Sequence, residues 1–231
     1  MIEDEITARS ALRTLDRRAG SPATGGRLVL VAARAGVGKT ALLVQVAIDA
    51  LLHGHHVLHV SLGETLSHVK RWYEGVYRDL TVGMPADAVR AAWERAERSR
   101  MLMVFRHDAF RADRLAERMR LLEAQGVFAP RLVVADGFLP GHALRADAEV
   151  LGRVCAEKGI EMWLAVRTPL EIDGVDAVVD PVAGLFETII ALEPQAGAVV
   201  LREIRRPPGV PPVPLRLDPG TMLVTAARKT G

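Results

Sequence analysis

Apolar and polar positions fall in blocks along this chain, and the blocks change period. Residues 28–32 form an unbroken apolar run, the right length for a strand buried on both faces. Residues 40–53 are apolar for longer and end at Gly54, which predicts a helix. Strands are then expected over 57–62, 101–105, 131–135, 160–166 and 188–192, with helices over 66–80, 86–98, 112–125 and 146–158. In the 112–125 segment, Leu115, Met119 and Leu122 share one helical face. Strand alternating with helix calls for a mostly parallel sheet with helices on both faces, an α/β architecture. After Glu193 the pattern shifts to short strands over 198–204, 213–217 and 222–225, separated by Gly and Pro. These predict an antiparallel β extension at one edge. At the start, Ala8, Ala11, Leu12 and Leu15 have helical spacing within residues 3–18, and 19–26 reads as a loop. The chain thus divides into an N-terminal amphipathic helix and linker, 1–25, and an α/β core, 26–231.

Composition changes this picture little. Hydrophobic residues at 49% and charged ones at 25% suit one soluble globular domain. A net charge of +2 is too small to argue for nucleic acid unless the charge clusters. Arginines do gather between Arg90 and Arg120, but Asp87, Glu94, Glu97, Asp108, Asp113 and Glu117 are interleaved, as on solvated helix faces with local ion pairs. Cys155 is the single cysteine, so no internal disulfide can form, and its helical setting suits a buried, inert thiol. The first ten residues are acidic and lack the apolar core of a secretory signal. No apolar run reaches the length of a membrane span, so a cytoplasmic protein is expected. His53, His55, His56 and His59 crowd a helix end and the next strand, but no cysteine or nearby acid completes a metal set.

The sharpest signal lies between the first core strand and helix, where Ala33 and Arg34 lead into Ala35-Gly36-Val37-Gly38-Lys39-Thr40-Ala41. Glycines let a backbone curl so that several N–H groups point inward, and the following helix adds its partial positive charge. Residues Ala35 to Ala41 would cradle phosphate, Lys39 would reach the terminal phosphates, and the Thr40 hydroxyl would ligate Mg²⁺. The strict pattern has glycine where this chain has Ala33. The plainer reading is a strand–turn–helix with a surface lysine. A second part of such a site is an acid ending a buried strand, holding Mg²⁺ through water. "RLVVAD" supplies Asp136, which could equally be a turn residue.

These residues carry a resemblance. "LVLVAARAGVGKTALLVQVA" resembles the RecA-like ATPase domain of DnaB-type replicative helicases, and so do "VLHVSLGE", "AWERAERSRMLMVF", "IEMWLAVRTP" and "IRRPPGVPPVPLRLDP". KaiC-like proteins share the same core. The resemblance implies a RecA-like P-loop NTPase fold, ATP and Mg²⁺ as ligands, and ATP hydrolysis. In that family the catalytic glutamate directly follows Ser-Leu. Here that slot is Gly63, with Glu64 one residue later. Glu64 is either the base, acting through a one-residue bulge, or an acid beside a helix start with Thr65. Arg167 stands where the family reads the γ-phosphate with glutamine. Arg205 and Arg206 are candidate fingers acting on a neighbouring subunit, which would require a homo-oligomer, or else two solvated arginines, and Pro207 and Pro208 follow in place of the family's polar residues.

The helicase channel loop would fall within 168–201, yet this segment has no Lys or Arg and carries Glu171, Asp173, Asp176, Asp180, Glu187 and Glu193. Such a segment repels a phosphate backbone, which disfavours a nucleic-acid partner. The preferred expectation is an ATPase whose slow cycle drives assembly or regulation of a protein partner. A nucleic-acid-dependent motor or loader and a small-molecule kinase are the rivals.

Overall fold

The computed structural model describes residues 2–12, 26–169, 174–195, 197–208 and 214–226. Its centre is a nine-stranded sheet in the order β3-β2-β4-β5-β1-β6-β7-β8-β9. The strands are β1 (Arg27–Ala33), β2 (Val57–Leu62), β3 (Arg100–Phe105), β4 (Leu132–Phe138), β5 (Glu161–Arg167), β6 (Thr188–Gln195), β7 (Ala198–Arg205), β8 (Leu215–Leu217) and β9 (Val224–Ala226). The first six pair in parallel and the last three continue antiparallel from β6. The expected α/β class, with a parallel core and an antiparallel extension, is therefore present.

The helices are α1 (Ile2–Ala8), α2 (Lys39–Leu52), α3 (Leu66–Leu80), α4 (Ala86–Arg98), α5 (Ala112–Ala124), α6 (His142–Lys158) and α7 (Asp176–Val179), the last running into a 3₁₀ turn over Asp180–Leu185. The period-2 alternation within each strand sorts the core into two layers. Val29, Val31 and Ala33 of β1 face one side with α1 to α4, while Leu28, Leu30 and Ala32 face α5, α6 and the 3₁₀ turn. All seven β1 residues are buried, which explains why the strand reads as a continuous apolar run.

Several expectations shift at their edges. The first helix stops at Ala8, and residues 13–18 of its predicted span lie outside the described residues. The helix expected from 146 begins at His142, behind Gly141. Strand β4 runs past Asp136 to Phe138 through a register irregularity between those two residues. The α7 and 3₁₀ segment was not expected, because its Asp, Pro and Gly content masks the helical pattern; it buries Val178, Val179 and Val182. Residue 213 of the predicted 213–217 strand lies outside the described residues.

Two features position the site. First, β1 and its neighbour β5 send the chain to opposite faces: β1 leads through α2 to β2, and β5 leads through α7 to β6. In open α/β sheets this divergence leaves a crevice at the carboxyl ends of the strands. Second, the antiparallel extension folds back onto α2. Gln45, buried in α2, donates from Nε2 to the Met222 carbonyl at 2.8 Å and accepts at Oε1 from the Val224 amide at 2.8 Å. Ala11 N–H donates to Val224 O at 2.9 Å, so the N-terminal segment packs on the same edge. Among the described residues no helix is long and apolar enough to cross a membrane.

Candidate functional site

The loop between β1 and α2 sits at the mouth of this crevice. Gly36 has φ 76° and Gly38 φ 110°, a left-handed backbone that side-chain-bearing residues rarely adopt. At Gly38 a side chain would also require neighbouring side chains to shift. A Cβ there would lie 2.5 Å from Leu217 Cδ1 and 2.7 Å from Met222 Cε. The turn between β8 and β9 is thus pressed against the loop.

Lys39 is not a surface lysine. It is 8% exposed, and its Nζ donates to the carbonyls of Ala33 at 3.0 Å and Arg34 at 2.9 Å. Burial pushes its pKa down, the Asp136 charge opposes this, and the Arg167 guanidinium adds to it. The ammonium is therefore folded back over the loop it springs from, within reach of both groups' fields. Thr40, the next residue, donates from Oγ1 to Asp136 Oδ2. That bond joins the start of α2 to the end of β4. Burial pushes the Asp136 carboxyl up, against the Thr40 hydrogen bond, the Lys39 charge and the Gly137 amide, while the Glu64 charge adds to the rise. A carboxylate so poorly solvated favours a cation beside it.

Glu64, Asp136 and Lys39 thus share one edge, and so does Arg167, exposed at the end of β5 where its backbone pairs with Ala33. Glu64 itself is turned outward. Its side chain is 56% exposed and approaches His68 Nε2 of α3 at 3.8 Å. Thr65 caps α3, accepting from His68 N–H at 3.3 Å, so Glu64 stands just outside a helix start, as its second reading supposed. Arg205 and Arg206 do not join the group. Arg205 pairs with Ile189, near the start of β6, toward the opposite edge of the sheet.

The other sequence observations can be placed too. Arg90–Asp87, Arg95–Glu3, Arg100–Glu97 and Arg106–Asp108 are ion pairs, in keeping with solvated helix faces. Arg100 departs from that pattern, with its side chain 5% exposed and its guanidinium carbon 4.2 Å above the Tyr73 ring. Within the acidic segment, Asp176 and Glu193 are both bound by Arg202, which tempers its negative field; Glu171 and Asp173 lie outside the described residues. Cys155 is buried, and burial pushes its thiol up to about 12, which keeps it inert. Among the described residues no three His, Cys, Asp or Glu side chains cluster to hold a metal.

Sequence reasoning missed three things. A cleft of 330 Å³ opens between α3 and the 220–222 turn, lined by His68, Arg71, Trp72, Thr221 and Met222 among others. Met222 also abuts Gly38, so the cleft borders the loop. The Thr168 hydroxyl is buried with no partner among the described residues, while its amide donates to Ala33 O at 2.9 Å. His107 lies over Gly63. Neither helical period nor motif marks these positions, because each depends on segments distant in the chain. No protein-family model matches the chain, and no curated protein matches its sequence.

Proposed function

We propose that this protein is a RecA-like P-loop ATPase that binds Mg²⁺–ATP and turns it over slowly, coupling the cycle to assembly or regulation of a protein partner. The observation that carries the reading is the conjunction of Lys39, Thr40 and Asp136. A left-handed, glycine-built loop opens a helix, its lysine is buried against the loop carbonyls, and its threonine is hydrogen-bonded to a desolvated acid two strands away. A surface lysine in an ordinary turn needs none of these.

The residues fit the ligands. Backbone amides from Ala35 to Ala41 and the α2 N-terminus suit phosphate oxygens, and Lys39 would leave its two carbonyls to meet the terminal phosphates. One hydroxyl and one carboxylate suit Mg²⁺, which keeps waters and shares phosphate oxygens instead of filling an all-protein cage. Bound there, the ion would offset charge on the phosphates. The Thr168 hydroxyl beside Ala33, without a partner among the described residues, offers a further polar contact, and the cleft against the 220–222 turn gives room for a base. Slow turnover rests on Gly63 in the family's glutamate slot and on Glu64 facing solvent.

The test is equilibrium binding of a fluorescent ATP analogue, with Mg²⁺ and with chelator, to wild type and Lys39→Ala, alongside phosphate release. Magnesium-dependent binding lost in the variant is the expected result. Equal binding by both proteins would remove the proposal. Single-stranded DNA added across a salt series separates the motor reading, which requires stimulation that fades with salt.

A further inference from the structure

The carboxyl end of β2 carries a feature that its sequence does not announce. Gly63 has φ 87°, and a Cβ built on it would lie 2.4 Å from His107 Nε2 and 2.8 Å from His107 Cδ2. The imidazole therefore occupies the space into which any side chain at position 63 would grow. That is the slot from which the resembled ATPases extend their water-orienting glutamate.

The ring is held there by a firm turn. Gly63 N–H donates to Phe105 O at 2.8 Å, extending the β2–β3 pairing to its tip. Ala109 and Phe110 amides donate to Arg106 O at 3.0 and 3.1 Å, closing the turn that bears His107. Phe110 anchors it, buried edge-on between Phe105 and Phe138 at 5.6 and 5.5 Å. Arg106 is occupied by Asp108. His107 remains exposed, and among the described residues no group hydrogen-bonds its ring. On the other side of Gly63, β4 brings Asp136 alongside Ser61.

We propose that His107, not Glu64, orients and deprotonates the water that attacks the γ-phosphate; this rests on the nucleotide-site reading above. A neutral imidazole nitrogen accepts the water's hydrogen. The water oxygen bonds to the γ-phosphorus, the bond from that phosphorus to the bridging oxygen breaks, and its electron pair leaves with ADP. The proton passes to His107 and then to solvent. A histidine replaces a carboxylate in this role without adding negative charge beside Asp136 and the triphosphate.

Two measurements test this. In single-turnover phosphate release, His107→Ala should fall by about 100-fold while fluorescent-nucleotide affinity stays within about threefold. His107→Gln, which can orient but not deprotonate water, should fall between, and Glu64→Gln should lose less than about threefold. Separately, carbethoxylation of His107, read by mass spectrometry, should be suppressed by Mg²⁺ with a non-hydrolysable ATP analogue and not by ADP. His55, at the opposite end of β2, should react equally in both. Wild-type release by His107→Ala, or no triphosphate protection, with Lys39-dependent binding intact, would overturn this inference alone. Absence of Lys39-dependent binding would overturn the nucleotide site and this inference with it.

Discussion

Lys39, Thr40 and Asp136 are each fixed by partners inside the fold, whereas Glu64, Arg167 and His107, on the same edge of the sheet, face solvent. In the first group, donors and a poorly solvated acid already converge, so a ligand of the proposed kind would require little new order on binding. The second group lacks that convergence. Its members sit at or just past the ends of different strands. The contrast teaches that this chain fixes the residues of its glycine loop with buried contacts and leaves the other polar groups of that edge to solvent; under the nucleotide reading proposed above, gripping a triphosphate and cutting it would be separable demands.

The comparison can be broken at its tightest point. Gly38→Ala combines left-handed strain with a collision against Leu217, and we expect a loss of roughly 2–4 kcal/mol in urea unfolding together with loss of nucleotide binding. Near-native stability would mean that the loop and the 218–222 turn are not tightly packed. Next in size, Lys39→Ala should weaken Mg²⁺–ATP by about 2–3 kcal/mol, or roughly 100-fold, in calorimetric titration.

Beneath the looser half the core is not loose, and acid should reveal this. His59 is buried against Tyr73, Nδ1 to Oη 3.1 Å, and burial aided by Arg100 lowers its pKa to about 3. The unfolded chain takes up that proton near pH 6.5, so between about pH 6.5 and 3 the folded state binds fewer protons. Stability should then fall as pH drops through this window, by about 1.4 kcal/mol per unit from His59. Urea midpoints at pH 7.5 and 5.5 should show a drop in wild type that is reduced in His59→Asn. An equal drop in both would exclude His59 as its source.

Smaller effects sharpen the contrast. Asp136→Asn keeps the Thr40 hydrogen bond and removes a charge that burial disfavours, so it should raise stability by about 1 kcal/mol while removing the Mg²⁺ dependence of binding. Loss of stability instead would show that the carboxylate is better compensated than its burial suggests. Glu64→Gln, at a mostly exposed position, should change the unfolding midpoint by less than about 0.5 kcal/mol.

The legible parts of this molecule were those written in neighbouring residues. Residues 57–62, 66–80 and 86–98 match their observed elements end to end, because period and breakers are local signals. The turn before α2 was legible for the same reason, since Gly36 and Gly38 mark it within a few consecutive residues. Asp136 was legible only as a strand-end acid, and its bond to Thr40 spans 96 residues. His107 was not legible, because what brings it to Gly63 is the parallel register that sets Leu62 beside Phe105.

The sequence alone settled most of the segments that become strands and helices and where the glycine-built turn between β1 and α2 lies, since backbone conformation answers to adjacent side chains. Only the tertiary structure decided that Lys39 is buried, that Glu64 faces water, that His107 fills the place of a missing side chain, and that Arg205 lies toward the far edge of the sheet. Those outcomes depend on strand order and register, through which desolvation and steric exclusion act between residues that share no stretch of chain.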